Sequence, residues 1–222
     1  MKSRVVVTGA AALLAVAAAG YPLVWRRPCL TWGADGSEAV REMPGDEFLP
    51  SAPLVSTRAV TVDAPPSAIW PWLVQMGPGR GGAYTYDWIE NLFGLDMHSA
   101  NAIMPELQDL QVGDVLPLGA HGPRMRVEVL EPEQAMVLRS LDGVWVWAFG
   151  IYPNYGTTRL VSRNRIADPR ATPLSRAFSM FVMEPGSLVM ERKMLLGIKQ
   201  RAESLALDTA RSAFRDCPAP NG

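Results

Sequence analysis

Ser56 to Gly94 reads STRAVTVDAPPSAIWPWLVQMGPGRGGAYTYDWIENLFG, and its punctuation is the most informative in the chain. Ser56 to Asp63 alternates in the manner of a β-strand. Asp63-Ala64-Pro65-Pro66 breaks that strand, and a proline suits the first turn of a helix, where its missing N–H leaves nothing unpaired. Ser67 to Met76 then carries Ile69, Trp70, Leu73 and Val74 at helical spacing, which predicts an amphipathic helix. Gly77-Pro78-Gly79 stops it, and a second, short aromatic helix is expected from Tyr86 to Phe93. Working outward, Asp96 to Gln111 reads as a polar connection with a turn at Met104-Pro105. Five strand signals follow: Asp114–Leu118, Arg124–Leu130, Ala135–Ser140, Val144–Tyr152 and Thr157–Ile166. The breaks between them, among them Asp142-Gly143 and Pro153-Asn154-Tyr155-Gly156, have the chemistry of turns between antiparallel neighbours. Leu174 to Met183 predicts a short apolar helix broken at Glu184-Pro185-Gly186. Ser187 to Ala206 is the longest helical pattern, with Leu188, Leu195, Ala202 and Leu205 on one face.

Strand, proline turn, Trp-bearing helix, glycine break and second helix, then strands and a long terminal helix, resemble the START/Bet v 1-like superfamily. That superfamily is also called SRPBCC, and the resemblance is to its polyketide cyclase/dehydrase and lipid-transport type. It implies an α+β helix-grip fold, an antiparallel sheet wrapped around a long C-terminal helix with a cavity between them. The grip domain is expected over residues 54–207, after a linker at 28–53 and before a tail at 208–222. In the related cyclases a few polar side chains inside an apolar cavity orient a polyketone and move protons.

Val5 to Trp25 is an apolar run without a charge, flanked by Lys2 and Arg4 before and Arg26 and Arg27 after. About 20 apolar residues cross a bilayer core as a helix. An uncleaved single-pass anchor over residues 1–27 is therefore the first expectation, since the run continues through Leu23, Val24 and Trp25 into two arginines. Ala17-Ala18-Ala19 also has the small-x-small form of a signal-peptidase site, so cleavage and secretion are a second reading, and a soluble terminus is a third. The basic flanks balance, which leaves orientation open. Cys29 and Cys217 form no framework of paired cysteines.

All 22 acidic residues but only 17 of the 21 basic ones lie after Arg27, a net charge of −5 for the body. No basic stripe interleaves with stacking aromatics, so nucleic acid is not an expected partner. The acids of the linker (Asp35, Glu38, Glu42, Asp46, Glu47) read as a solvated face.

Gly77-Pro78-Gly79-Arg80-Gly81-Gly82 matches G-x-G-x-x-G in letters only. The dinucleotide motif works between a strand and a helix, whereas these glycines follow a helix and read as a flexible hinge. No cofactor is expected. With only His98 and His121 in the chain, a three-histidine metal site is impossible, and no spacing fixes a mixed ligand set. Nucleophilic catalysis lacks a serine elbow, and both cysteines lie outside the domain. Acid–base work remains. Tyr84, Asp87, Glu90 and His98 crowd one segment and are the candidate proton handlers, with Asp87 and Glu90 at i and i+3. The plainer reading has these carboxylates cap or solvate the short helix.

Trp145, Trp147 and Phe149 alternate along one strand and share a face. Val144, Val146 and Ala148 take the other, small enough to pack under Pro28–Pro53. With Tyr86, Leu188 and Leu195, that aromatic wall is the candidate ligand site, although it suits a filled core equally well. Met180, Met183, Met190 and Met194 read as adaptable packing, with cavity lining second. Three function classes follow: a membrane-tethered domain binding a small hydrophobic molecule (lipid, isoprenoid or polyketide-like), a polyketide cyclase/dehydratase-like enzyme, and a ligand-free interaction module.

Overall fold

The computed structural model describes residues 20–92, 94–119 and 122–215. Most of the expected membrane segment, with His121 and Cys217, lies outside them. Among the described residues no helix is long and apolar enough to cross a membrane.

A π-helical turn, Tyr21–Trp25, leads into α1 (Arg26–Leu30), and α2 (Gly36–Val40) follows. Strand β1 (Leu54–Val62), helices α3 (Pro66–Val74) and α4 (Asp87–Leu92), and strands β2 (Val115–Pro117), β3 (Arg124–Glu131), β4 (Ala135–Ser140), β5 (Trp145–Asn154) and β6 (Thr157–Ile166) come next. The chain closes with α5 (Pro173–Phe178), a second π-helical turn (Ser179–Met183) and α6 (Glu184–Arg215). The six strands form one sheet in the order β1-β6-β5-β4-β3-β2, and every neighbouring pair is antiparallel. Helix α6 lies against β1 and α3 on the inner face. This is the helix-grip arrangement, in which one face of an antiparallel sheet packs on the apolar face of a long C-terminal helix.

The expected break at Glu184-Pro185-Gly186 is absent, and the helix runs on to Arg215. Pro185 has no N–H to offer the Phe181 carbonyl, and its ring would crowd that oxygen in a regular α-turn. The chain widens instead, so that the Glu184 N–H bonds to Ser179 O, five residues back. A π-turn just before the proline lets the helix pass it.

Side-chain alternation divides the sheet into two cores. The inner one gathers Val62, Leu160, Phe149, Ile151, Met125 and Leu138 with Ile69 and Leu73 of α3 and Leu195, Ile198 and Ala202 of α6. The outer one holds Ala59, Val137, Val146, Ala148 and Val161 under Met43, with Phe48 and Leu49 packed against it. Residues 34–49 are thus packed as a strap on the outer face, over Val146 and Ala148 as expected, while Leu30 and Trp32 belong to the inner side. Of the acids read as a solvated face, Asp35, Glu42 and Glu47 are exposed, but Glu38 is buried and Asp46 half-buried. The cause is a row of arginines on β6. Arg159 bonds Glu38 at 2.6 Å. Arg163 reaches Asp46 at 2.6 Å and the Glu38 carbonyl at 2.8 Å, and Arg165 meets Asp46 at 3.2 Å. Burial works to raise the Glu38 carboxyl, but the Arg159 hydrogen bonds and charge outweigh it and hold the group below the ordinary value.

Candidate functional site

A cavity of about 490 Å³ lies between the inner sheet face and the first half of α6. Its walls are Trp145 and Trp147 from β5, Ile166 from β6, Leu30 from α1, and Met183, Met190 and Met194 from the terminal helical run. A smaller chamber of about 200 Å³ extends toward Leu73, Met76, Leu116, Met136 and Leu138, and the two share Ala83, Glu90, Trp145 and Trp147 as lining. The tryptophans are stacked, with centroids 5.9 Å apart and planes at 17°, and Phe149 follows at 4.9 Å from Trp147. One large apolar surface faces the helix as the strand parity requires.

Each indole N–H reaches diagonally to β6. Trp145 Nε1 donates to Asn164 Oδ1 at 2.8 Å and Trp147 Nε1 to Ser162 Oγ at 3.0 Å. Ser162 in turn donates to Glu191 Oε1 at 2.6 Å, and the Asn164 amide lies 3.2 Å from the same oxygen. Glu191 forms a buried ion pair with Arg58. Arg58 is fully enclosed and also bonds the Cys29 carbonyl at 3.1 Å and Ser187 Oγ at 3.0 Å. Burial pushes the Glu191 carboxyl upward while the Arg58 charge and the Ser162 hydroxyl pull it back. The tryptophan wall is therefore fixed in orientation by a charged network at its back.

Glu90 stands apart from that network. It is only 8 % exposed and lines both chambers. Its Oε2 has no hydrogen-bond partner, and neither has the buried Thr85 Oγ1. Burial raises the Glu90 carboxyl, the nearby Thr85 hydroxyl lowers it, and the Asp87 charge adds to the rise. Glu90 Oε2 and Thr85 Oγ1, with no partner beyond each other, form at the junction of two apolar chambers a place to hold one polar group of a bound molecule, since an under-satisfied buried group gains most from a new partner. A protonated carboxyl there donates to a carbonyl, and an ionised one accepts from a hydroxyl.

Of the four candidate proton handlers, only Glu90 reaches the cavity. Tyr84 is buried, its hydroxyl donates to Trp72 O at 2.9 Å, and burial raises its phenol. Asp87 turns away from Glu90 and accepts from Ser99 N at 2.8 Å and Ser99 Oγ at 2.6 Å, so it pins the following loop. His98 is 79 % exposed beside Asp96 at 3.3 Å. Helical spacing gave these residues a common neighbourhood, but the helix has less than two turns and its faces diverge. Among the ligand candidates Trp145 and Trp147 line the cavity, whereas Phe149 and Leu195 belong to the packed core. Leu188 and Tyr86 do not line it, and the Tyr86 ring sits 5.8 Å from Lys193 Nζ. Arg58, Thr85, Ser162, Asn164 and Glu191 were missed by the sequence reading.

The glycine cluster is a closed turn rather than a flexible hinge. Gly77 and Gly82 bond each other in both directions at 2.9 and 3.1 Å, and Gly81 N–H bonds Gln75 O at 2.7 Å. Gly82 has φ +71° and a Cβ there would lie 2.8 Å from the His98 backbone, so only glycine fits. These N–H groups are used internally and do not form a phosphate cradle. Among the described residues no three His, Cys, Asp or Glu side chains come together to hold a metal ion.

No family model matches the chain, and no curated protein matches it. Among solved structures it is similar to protein CV1439 from Chromobacterium violaceum at 13 % identity, TM-score 0.40, over 68 % of this chain and 98 % of that one. It is also similar to the Polyketide_cyc-like protein Cgl2372 from Corynebacterium glutamicum (15 % identity, TM-score 0.35, 77 % and 99 % of the two chains). A third is protein SSP2350 from Staphylococcus saprophyticus, at 13 % identity and TM-score 0.41 over 66 % and 89 %.

Proposed function

We propose that this chain is a START/Bet v 1-like domain that takes up one small, largely apolar molecule behind Trp145 and Trp147. In this reading the apolar run at its N-terminus holds it to a membrane as a single-pass protein. The observation that carries the proposal is the cavity of about 490 Å³, tryptophan- and methionine-lined, with the unpartnered Glu90 carboxyl in its wall. That volume falls within the range of about 300–1,000 Å³ usual for small-molecule sites, and one or two polar groups in an apolar lining are their usual make-up. A lipid, an isoprenoid or a polyketide-like molecule with one hydroxyl or carbonyl fits this chemistry.

The test is titration of the full-length protein with a fluorescent fatty acid. Trp147→Ala weakens binding by about tenfold or more, since it removes a large rigid apolar wall. Val146→Ala, on the opposite face of the same strand, leaves binding unchanged at a stability cost of about 1 kcal/mol. Equal effects of the two, or no binding by the wild type, overturn the reading.

The raised carboxyl of Glu90 favours a second reading, an acid–base enzyme of the polyketide cyclase/dehydratase kind. A carboxylic acid kept neutral in an apolar site gives a proton to a ligand carbonyl oxygen. Incubation with a linear poly-β-ketone distinguishes the two: an enzyme gives a cyclised or dehydrated product that Glu90→Gln abolishes without loss of fatty-acid binding.

A further inference from the structure

The cavity lining runs out onto the surface. Met183 lines the cavity and is also 55 % exposed. Beside it on the same helical run, Phe178, Phe181 and Val182 are exposed, although a helix in water ordinarily turns such side chains inward. The π-turn at the start of the described chain exposes Leu23, Val24 and Trp25 as well. These two apolar stretches are fastened to one another. The Tyr21 and Phe181 rings lie 5.8 Å apart. Arg26 grips Glu184 with Nε and Nη2, each at 2.9 Å, and Cys29 Sγ bonds the Glu184 carbonyl at 3.4 Å. An apolar face of this extent marks a surface that meets another apolar phase.

Two features say which phase. The charge-free run that begins at Val5 ends in this face, at Trp25-Arg26-Arg27, the aromatic and basic pairing found where a chain leaves a bilayer. Arg27 is exposed, and Arg176 shares a surface groove at the cavity rim with Arg26, Asp168 and Glu184. Arg27, two residues past Trp25, puts a positive charge beside the apolar stretch on a body whose net charge is −5, which suits anionic headgroups. We infer that the face formed by Phe178 to Met183 and Leu23 to Trp25 lies in the headgroup–acyl boundary of the membrane that the N-terminal run enters, and that apolar cargo passes between bilayer and cavity at Met183. Docking stands on the surface alone, and the passage of cargo rests on the ligand-binding reading above. The aqueous route that a free apolar molecule would otherwise take is thereby avoided.

The experiment uses the full chain in nanodiscs of phosphatidylcholine and phosphatidylglycerol, with Cys217→Ser removing the cysteine of the tail. A nitroxide is placed on Val182→Cys, or on Tyr155→Cys in the β5–β6 turn, at the far end of β5 from Trp145. The inference expects the label at 182 to be more accessible to oxygen than to a water-soluble nickel chelate, and the label at 155 to show the reverse. Water-like accessibility at both positions overturns docking. Transfer is read separately with the fluorescent fatty acid. The pair Phe181→Asp and Val182→Asp slows uptake from vesicles by about tenfold or more, the loss expected from withdrawing two apolar side chains from lipid, and leaves uptake from a cyclodextrin carrier unchanged. Equal slowing in both, or in neither, overturns the portal. A wild type that takes up probe from neither source defeats the cavity reading and the portal with it, while the nitroxide result still decides docking.

Discussion

Glu90 and Glu38 are both buried carboxyls, yet their environments drive them in opposite directions, and each makes a distinct prediction. Glu90 is raised by desolvation, so the folded state binds its proton more tightly than the unfolded state. Its contribution to stability therefore falls as pH rises from the ordinary value of 4.5 through the folded value. Glu90→Gln stabilises the ligand-free protein by about 1 kcal/mol at neutral pH, and the gain disappears in acid. Urea denaturation across the pH range reads this directly; a loss of stability at neutral pH would show that Glu90 has a structural partner. Glu38 is held low by Arg159 against the cost of burial. Its contribution is present above the ordinary value of 4.5 and is lost as pH falls through the folded value. Glu38→Gln thus costs about 1–3 kcal/mol at neutral pH, and the difference closes in acid. Composition alone could not separate the two residues. Both look like acids on short helices, and only the partner across the fold, an arginine in one case and an apolar cavity in the other, decides the sign.

At the scale of elements, the hidden pair Arg58–Glu191 ties β1 to α6 and, through Ser162 and Asn164, fixes both tryptophans. Removing one partner leaves a buried charge uncompensated. Arg58→Met or Glu191→Leu alone destabilises by about 3–5 kcal/mol, whereas the double replacement recovers most of that loss. Thermal melts of the three variants check the coupling, and additive losses would refute it. The pair had a signal in the sequence. Ser56, Arg58, Val60 and Val62 alternate onto one face of β1, and Glu191 stands between Leu188 and Leu195 on the apolar stripe of the helix. A charge at a core-facing position of each element asks for a partner. Strand and helix positions were otherwise legible because each has its own period, and both β4 and β6 have the boundaries read from the sequence. The course of the helix past Pro185 was not, because the local rule that proline ends a helix yields to packing of the whole helical run. The polar cluster at Tyr84–His98 was over-read for a related reason. Proximity in sequence gave no information on which side chains turn toward the cavity.

Over the whole molecule, the sheet separates a charged, strapped outer side from a largely apolar inner side that encloses the cavity and opens beside Arg26 and Leu30. That the segment before β1 would cover the small outer-face residues of β5 was legible, but the ion pairs that fasten it were not, because Glu38 and Asp46 find their arginines more than a hundred residues later on β6. The strap covers Val146 and Ala148 from outside, while Trp145 and Trp147, on the inner face of the same strand, pack at the edge of the inner core and line the cavity. The central claim, that the inner side is a container, is tested most directly by native mass spectrometry of the full-length protein released from detergent, with organic extraction of the same sample. The account predicts one apolar molecule per chain, bearing an oxygen group within reach of Glu90 and lost when Trp147 is replaced by Ala. A bare polypeptide mass, with no displaceable apolar molecule and no uptake of added fatty acid, would contradict it and leave a packed interaction module.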